Sequence, residues 1–432
     1  MSISVKYEIE RTSPDYVVFV PGSLDGSSGD TGNEHFLVFD GLDGSLIAVW
    51  TQSTIEGHGD QKIVFVRSVD NGETWSPPKC IAGRNSMPRT KMASWAFPMV
   101  SRSGRIYVLF NRHIGMDDIF THTTGMMSGT YSDDNGETWS DADDIPMEHN
   151  QYDNPDPDIP ANWIIWQKPE RLSNGKYLAG FTHWLSPTVS NTPVDNDDWR
   201  YDESVVEFMR FENIDMNPSI ANIEVSRFPG GDQALYLPTT RYSGVSILQE
   251  PSLVALPDAR LFCTMRTVNG YPAWSVSSDA GETWSDPKPM RYSDDGEIME
   301  HPLSPCPIYQ LGNGTYIFLF HNHPGMDEPD VENLPRGYER TPLCVAHGEF
   351  QADGSQPIWF SAPIIIMDSK HIGVGFAEGR SDLAMYASLT TGNGQDVLWY
   401  PDRKFYLLGK KICSEWFSGS EKQTHECMAS CS

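Results

Sequence analysis

One eight-residue pattern occurs three times in this chain, and it constrains the fold more than any other feature. It runs Ser68-Val69-Asp70-Asn71-Gly72-Glu73-Thr74-Trp75, then Ser132-Asp133-Asp134-Asn135-Gly136-Glu137-Thr138-Trp139, then Ser277-Ser278-Asp279-Ala280-Gly281-Glu282-Thr283-Trp284. Each copy reads S-x-D-x-G-x-T-W and follows alternating apolar residues, as in Ile63-Val64-Phe65-Val66. The chemistry of the pattern is local. The Asp accepts hydrogen bonds from backbone N–H groups of its own turn, and the Gly supplies the positive φ of a tight hairpin. The Trp then buries a large apolar face between neighbouring sheets. The motif is a hairpin staple and carries no chemistry of its own.

A repeat of this period means sheets arranged in sequence around an axis. Between and after the copies, Ser103–Phe110, Asn174–Gly180, Pro257–Phe262 and Gly312–Phe318 each read as a turn followed by a strand. The composition agrees, with 36 Gly, 31 Pro and 13 Trp in a chain that is 39% hydrophobic, as many short strands between tight corners require. The repeat resembles the Asp box of sialidase-like β-propellers. That resemblance implies an all-β, sialidase-like β-propeller with seven, or six, four-stranded blades. One domain is expected over 1–412, and the aperiodic segment 413–432 reads as a disordered tail. The acidic, Pro-containing stretches 141–162 and 187–203 read as long loops of the kind that line a functional face.

The net charge of −28 argues against nucleic acid and anionic membrane partners. It leaves an acidic glycan possible, because a few arginines in a cleft set the potential there. No run of about 18 apolar residues and no signal-peptide core occurs, so a soluble monomer is expected, cytoplasmic as written or secreted with its leader removed. The seven cysteines, Cys80, Cys263, Cys306, Cys344, Cys413, Cys427 and Cys431, are scattered and odd in number. Buried thiols are expected rather than a disulfide framework.

In such a fold, ligands meet the innermost strands near the axis, so polar residues at strand edges are the candidates. His35 precedes an apolar strand, His58 lies in Glu56-Gly57-His58-Gly59-Asp60, Arg112 closes a strand, and Arg171 follows Lys168-Pro169-Glu170. Taken singly, each His reads as structural and each Arg as an ion-pair partner. Together they suit β-elimination at a uronic acid. Arginines neutralise the carboxylate, a base removes the C5 proton and an acid serves the departing oxygen, with no cofactor required.

The segments NEHFLVF, VWTQSTIEGHGDQKIVFVRS, WAFPMVSRSGRIYVLFNRH and WIIWQKPERLSNGKYLAGFTHW resemble propeller-fold polysaccharide lyases. The nearest act on rhamnose-α-1,4-glucuronate ends, with ulvan lyases more distant, and the likeness covers most of 30–412. It implies that His35 and His58 transfer protons and that Arg112 and Arg171 hold the uronate. Trp95 stands where such lyases often carry a Tyr, and is expected to stack on a sugar ring. The expected activity is release of rhamnose from glucuronate in an acidic oligo- or polysaccharide. A rhamnosidase-type hydrolase and an exo-sialidase are the alternatives. Glu250–Asp258 followed by Arg266 resembles a sialidase strand pair, and Arg241 and Arg266 are candidates to grip a carboxylate, although the F-R-I-P signature is absent. A glycan-binding propeller without chemistry is a third reading.

His321 and His323 stand two apart, on one face of a continuing strand. With His301 or Cys306 they form a candidate structural zinc site, calcium being the other ion considered. The alternative is a loop lip beside the cleft. Cys344 and His347, three apart, would point to opposite faces.

Overall fold

The computed structural model describes residues 8–83, 92–230, 233–325, 340–376 and 382–417. Among these, six antiparallel sheets stand as the blades of a propeller. The first, from axis to rim, is Gly32–Asp40, Leu46–Ser53, Lys62–Ser68 and Lys79–Gly83. The second is Ala93–Val100, Ile106–Arg112, Met126–Ser132 and Asp143–Ile145. The third is Asn162–Ile164, Tyr177–Trp184, Ser204–Phe211 and Val225–Phe228, with Glu170–Arg171 also pairing on its second strand. The fourth is Leu248–Ala255, Leu261–Thr267, Ala273–Ser277 and Lys288–Pro289. The fifth is Ile308–Gln310, Tyr316–Phe320, Leu343–Phe350 and Ile358–Phe360, and Ile364–Met367 adds to its third strand.

The sixth blade closes the ring. Its inner strands are Ser388–Thr390, Val397–Asp402 and Tyr406–Lys411, and its rim strand is Tyr16–Phe19 from the other end of the chain. This closure explains why six blades form where seven were the first expectation: the chain before Gly32 completes the last blade instead of building another. Buried Arg403 ties the join, bonding Asp402 and the Glu8 carbonyl, while Lys410 Nζ donates to the Thr12 and Ser13 carbonyls. The tail packs for a few residues, with Trp416 buried against the core of the sixth blade; 418–432 lie outside the described residues.

The three staples are alike in detail. Asp70 Oδ1 accepts from the Thr74 amide at 2.9 Å and the Ser68 hydroxyl at 2.8 Å, and Asp134 and Asp279 repeat both bonds. These hydroxyl and amide donors hold Asp134 down to a pKa of about 2. The Trp indole donates back to the Gly carbonyl at 3.1 Å in every copy. Each box also packs on the preceding blade. Trp75 meets Trp399, Trp139 meets Phe65, and Trp284 stacks on Phe208 with ring centroids 4.0 Å apart. A Cβ placed on Gly136 would stand 2.0 Å from the Phe65 ring, and one on Gly281 would stand 2.4 Å from Leu178. The glycine therefore serves twice, once for its φ near +90° and once for close approach of two blades.

Candidate functional site

The innermost strands of the first, second and fourth blades share one irregularity. Pairing slips between Glu34 and Leu37, between Ser94 and Phe97, and between Gln249 and Ser252. At each slip a non-glycine residue takes a left-handed backbone: His35 at φ 46°, Trp95 at 56° and Glu250 at 51°. Such bulges re-aim side chains and cost about 1–3 kcal/mol each unless the surroundings hold them. Here the preceding blade helps: Thr51 Oγ1 accepts from the Trp95 amide at 2.9 Å, and Thr182 Oγ1 from the Glu250 amide at 2.7 Å.

Two of these bulges feed one pocket at the N-terminal ends of the innermost strands. It measures ≈ 220 Å³ and is walled by Trp95, Trp184, Trp199 and Phe120. Trp199 comes from the 187–203 loop, so that stretch reaches this pocket. The polar lining is Glu56, His122, Thr123, Glu250, Arg266, Arg340 and Tyr386.

At its base the Tyr386 hydroxyl donates to Glu250 Oε1 at 2.7 Å. Arg266 Nη1 lies 2.9 Å from the same oxygen and 3.3 Å from the phenol oxygen. Arg266 is held in turn by Gln249 Oε1, through Nε at 2.9 Å and Nη2 at 2.6 Å. Arg340, also buried, donates to the Leu303 carbonyl at 3.1 Å. Burial, and then the charge of Glu250, push the Tyr386 phenol far up, against the opposing pull of Arg266, Arg340 and Lys404. The resting nucleophile candidate is thus a neutral phenol beside a carboxylate able to take its proton. Lys404, on the hairpin between the second and third strands of the sixth blade, pairs with Glu56 and lies 5.2 Å from the Tyr386 ring centre.

Of the residues expected from sequence, Trp95 and Arg266 stand on the pocket wall. His35 does not: it is wholly buried beneath Trp95, ring centres 4.9 Å apart, with Nδ1 3.3 Å from Thr51 Oγ1. Burial there drives its pKa to about 3. His58 is exposed on the outer side of its loop and bonded to Asp60 at 3.1 Å, while Glu56, two residues earlier, takes the pocket position. Arg112 is turned onto Asp144 at the rim of the second blade. Arg171 lies at the opposite mouth of the axis, paired with Asp215. Arg241 sits on the surface near Asp198, over the Tyr201 ring. The four-residue constellation of His35, His58, Arg112 and Arg171 therefore does not converge. The opposite mouth holds a larger cavity of ≈ 480 Å³, but its Lys168 ammonium is tied to the Val38 and Leu389 carbonyls.

The suggested zinc ligands are likewise engaged elsewhere. His301 Nε2 donates to the Ser304 carbonyl, His301 Nδ1 accepts from the His321 amide, and His321 Nδ1 donates to the Pro342 carbonyl. His323 Nδ1 accepts from the Gly325 amide. No group of three His, Cys, Asp or Glu side chains able to hold a metal occurs among the described residues. Cys263, Cys306 and Cys344 are free and buried, as expected of most of the thiols, whereas Cys80 is exposed.

Sequence reasoning missed Tyr386, Arg340, Glu56 and His122, and quoted Glu250 only as part of a strand. The available signal was positional. Gln249-Glu250-Pro251-Ser252 breaks strand alternation at the same place as Ser94-Trp95-Ala96-Phe97.

With this geometry in hand, comparison with known proteins is informative. The family described as BNR repeat-like domain matches residues 44–393. No curated protein matches the chain. Among solved structures, the Hadza microbial sialidase Hz136 is similar with a TM-score of 0.58 at 15% identity, over 90% of this chain and 67% of that one. The leech intramolecular trans-sialidase gives 0.56 at 14% identity, over 94% and 71%. Trypanosoma rangeli sialidase gives 0.53 at 13%, over 93% and 58%. At these identities the likeness is one of fold. No described helix is long and apolar enough to cross a membrane.

Proposed function

Because this chain belongs to the BNR repeat-like domain family, we propose that its axial pocket cleaves a glycoside of an acidic sugar, with Tyr386 as the attacking group. The observation that carries the reading is the buried hydrogen bond of 2.7 Å from the Tyr386 phenol to Glu250. Glu250 takes the phenol proton as the oxygen bonds to the anomeric carbon, which activates a nucleophile that is weak when free. Charge developing on that oxygen meets Arg266, already fixed by Gln249, so no reorganisation is needed at the moment of reaction. A neutral phenol also approaches an anionic sugar without the repulsion that a carboxylate would meet. Arg266 and Arg340 supply the cationic side of a pocket for a sugar acid, and the tryptophan walls suit the faces of sugar rings.

The three solved neighbours named above are sialidases or trans-sialidases by name, which makes a sialoside the first substrate to try and a glucuronide the second. Elimination at a rhamnose–glucuronate linkage is the second reading. It is favoured by the presence of His122 beside the two arginines, which offers a base near a neutralised carboxylate. Fluorogenic glycosides of both sugars, together with a glucuronate-containing glycan followed by ultraviolet absorbance, separate these outcomes. Release without a new absorbance band identifies hydrolysis, and an unsaturated uronate identifies elimination. Tyr386→Phe should lower the hydrolytic rate by about a thousandfold or more. Wild-type turnover in that variant overturns the reading.

A further inference from the structure

We infer that His122 passes the proton to the departing sugar oxygen; this rests on the glycoside-cleavage reading above. Four titratable groups of the lining are candidates for the proton: Glu56, His122, Glu250 and Tyr386. Glu250 and Tyr386 bond each other and serve the attacking side. Glu56 is an anion held by the ammonium of Lys404, a buried residue, so its carboxylate is engaged as a base with a permanent partner.

His122 differs from all three. Its ring stacks on Trp95, at 6.1 Å and 26°, and meets Phe120 in a tilted contact, at 6.1 Å and 31°. These ring contacts leave the nitrogens, which lie in the ring plane, without a hydrogen bond to any described residue. The chain after Glu56 borders the ring. Gly57 has φ +73°, and a Cβ there would stand 3.5 Å from His122 Nδ1. Burial lowers the His122 pKa, Glu56 raises it and Lys404 lowers it, with Glu250, Tyr386, Arg266 and Arg340 on the other walls. The net effect holds the ring's pKa below that of a free imidazole, so the protonated ring that the leaving group needs is favoured on the acidic side.

The steps balance. Tyr386 oxygen bonds to the anomeric carbon and its proton moves to Glu250; the glycosidic C–O bond breaks, and the leaving oxygen takes a proton from His122 imidazolium. Water then attacks the anomeric carbon and gives its proton to neutral His122. The Tyr386 oxygen departs and recovers its own proton from Glu250.

The test compares two glycosides of whichever acidic sugar the wild type cleaves: a dinitrophenyl glycoside, whose leaving group needs no proton, and a methyl glycoside, whose leaving group does. His122→Gln should lose at least about a hundredfold on the methyl glycoside and far less on the dinitrophenyl one. The acidic-to-neutral limb of its pH–kcat profile should disappear. Glu56→Gln, which removes the charge that raises the His122 pKa, should show the same leaving-group dependence in weaker form. Equal losses on both glycosides in His122→Gln, or none, overturn the assignment, and leaving-group dependence confined to Glu56→Gln gives the role to Glu56. A wild type inactive on every glycoside removes the parent reading and this one with it. An inactive Tyr386→Phe beside an indifferent His122→Gln removes this one alone.

Discussion

Thr182→Val should separate stability from catalysis in a way that its counterpart Thr51→Val does not. Both threonines are buried, and both hold the amide of a left-handed residue in the next blade: Thr182 that of Glu250, Thr51 that of Trp95. Valine keeps the shape and removes the acceptor. A buried N–H left unsatisfied costs about 1–3 kcal/mol, so each variant should lose stability in that range. Thr51 also faces His35 Nδ1 at 3.3 Å, which places Thr51→Val toward the upper end. The functional consequences diverge because the cheapest relief is for the bulge to relax toward ordinary backbone. In Thr182→Val that relaxation withdraws Glu250 from the phenol, and a displacement of about 1 Å at a reacting group costs about a hundredfold in rate. In Thr51→Val it moves a pocket wall, which weakens substrate binding first. Urea unfolding gives the stability loss, and steady-state kinetics on the cleaved glycoside give the split: kcat for Thr182→Val, KM for Thr51→Val. Equal kcat losses in the two, or an undiminished kcat in a destabilised Thr182→Val, refute the reasoning that the bulge delivers the carboxylate.

The interlock of the blades predicts a second contrast. Gly136→Ala and Gly314→Ala both place a side chain at φ near +90°, a cost of about 1–2 kcal/mol, but only Gly136 would drive its Cβ into Phe65. Gly136→Ala should therefore lose about 1–3 kcal/mol more than Gly314→Ala on denaturant unfolding, and equal losses would mean that the box does not bind blade to blade. His35 predicts an acid sensitivity. Its folded pKa of about 3 lies below the unfolded value of about 6.5, so the unfolded chain binds the extra proton between these limits and stability falls as pH falls through them. Between pH 7 and pH 4 the wild type should lose roughly 3 kcal/mol relative to His35→Phe in paired urea titrations, and a constant difference between the two refutes the buried neutral ring.

The fold was legible because its signature is local. Ser68, Asp70, Gly72 and Thr74 make their bonds within one turn, so their order in sequence is their order in space. The site was not legible because its members meet only through closure of the ring. Tyr386 comes from the sixth blade and Glu250 from the fourth, and nothing near Met385-Tyr386-Ala387 marks a reactive phenol. His58 was drawn from the right loop, two residues beyond Glu56, the one that lines the pocket. Arg112 and Arg171 show the other failure. A cation at a strand end is ambiguous until its direction and its end are assigned: Arg112 closes a strand opposite Ala93 but turns outward to Asp144 on the rim strand, and Arg171 lies at the opposite mouth.

The three bulges explain why repetition in the fold hides the chemistry it supports. His35, Trp95 and Glu250 occupy equivalent positions, each the first of two residues skipped by the pairing of an innermost strand. The backbone does the same thing each time, yet the outcomes are a buried ring, an aromatic wall and a carboxylate under a phenol. Three of the six innermost strands carry such a strained position, and at Trp95 and Glu250 the neighbouring blade supplies a threonine hydroxyl to hold it. Function in this architecture is set by which side chain fills each of these few positions. The repeats announce the scaffold, and the residues that differ between equivalent repeats are where its chemistry has to be sought.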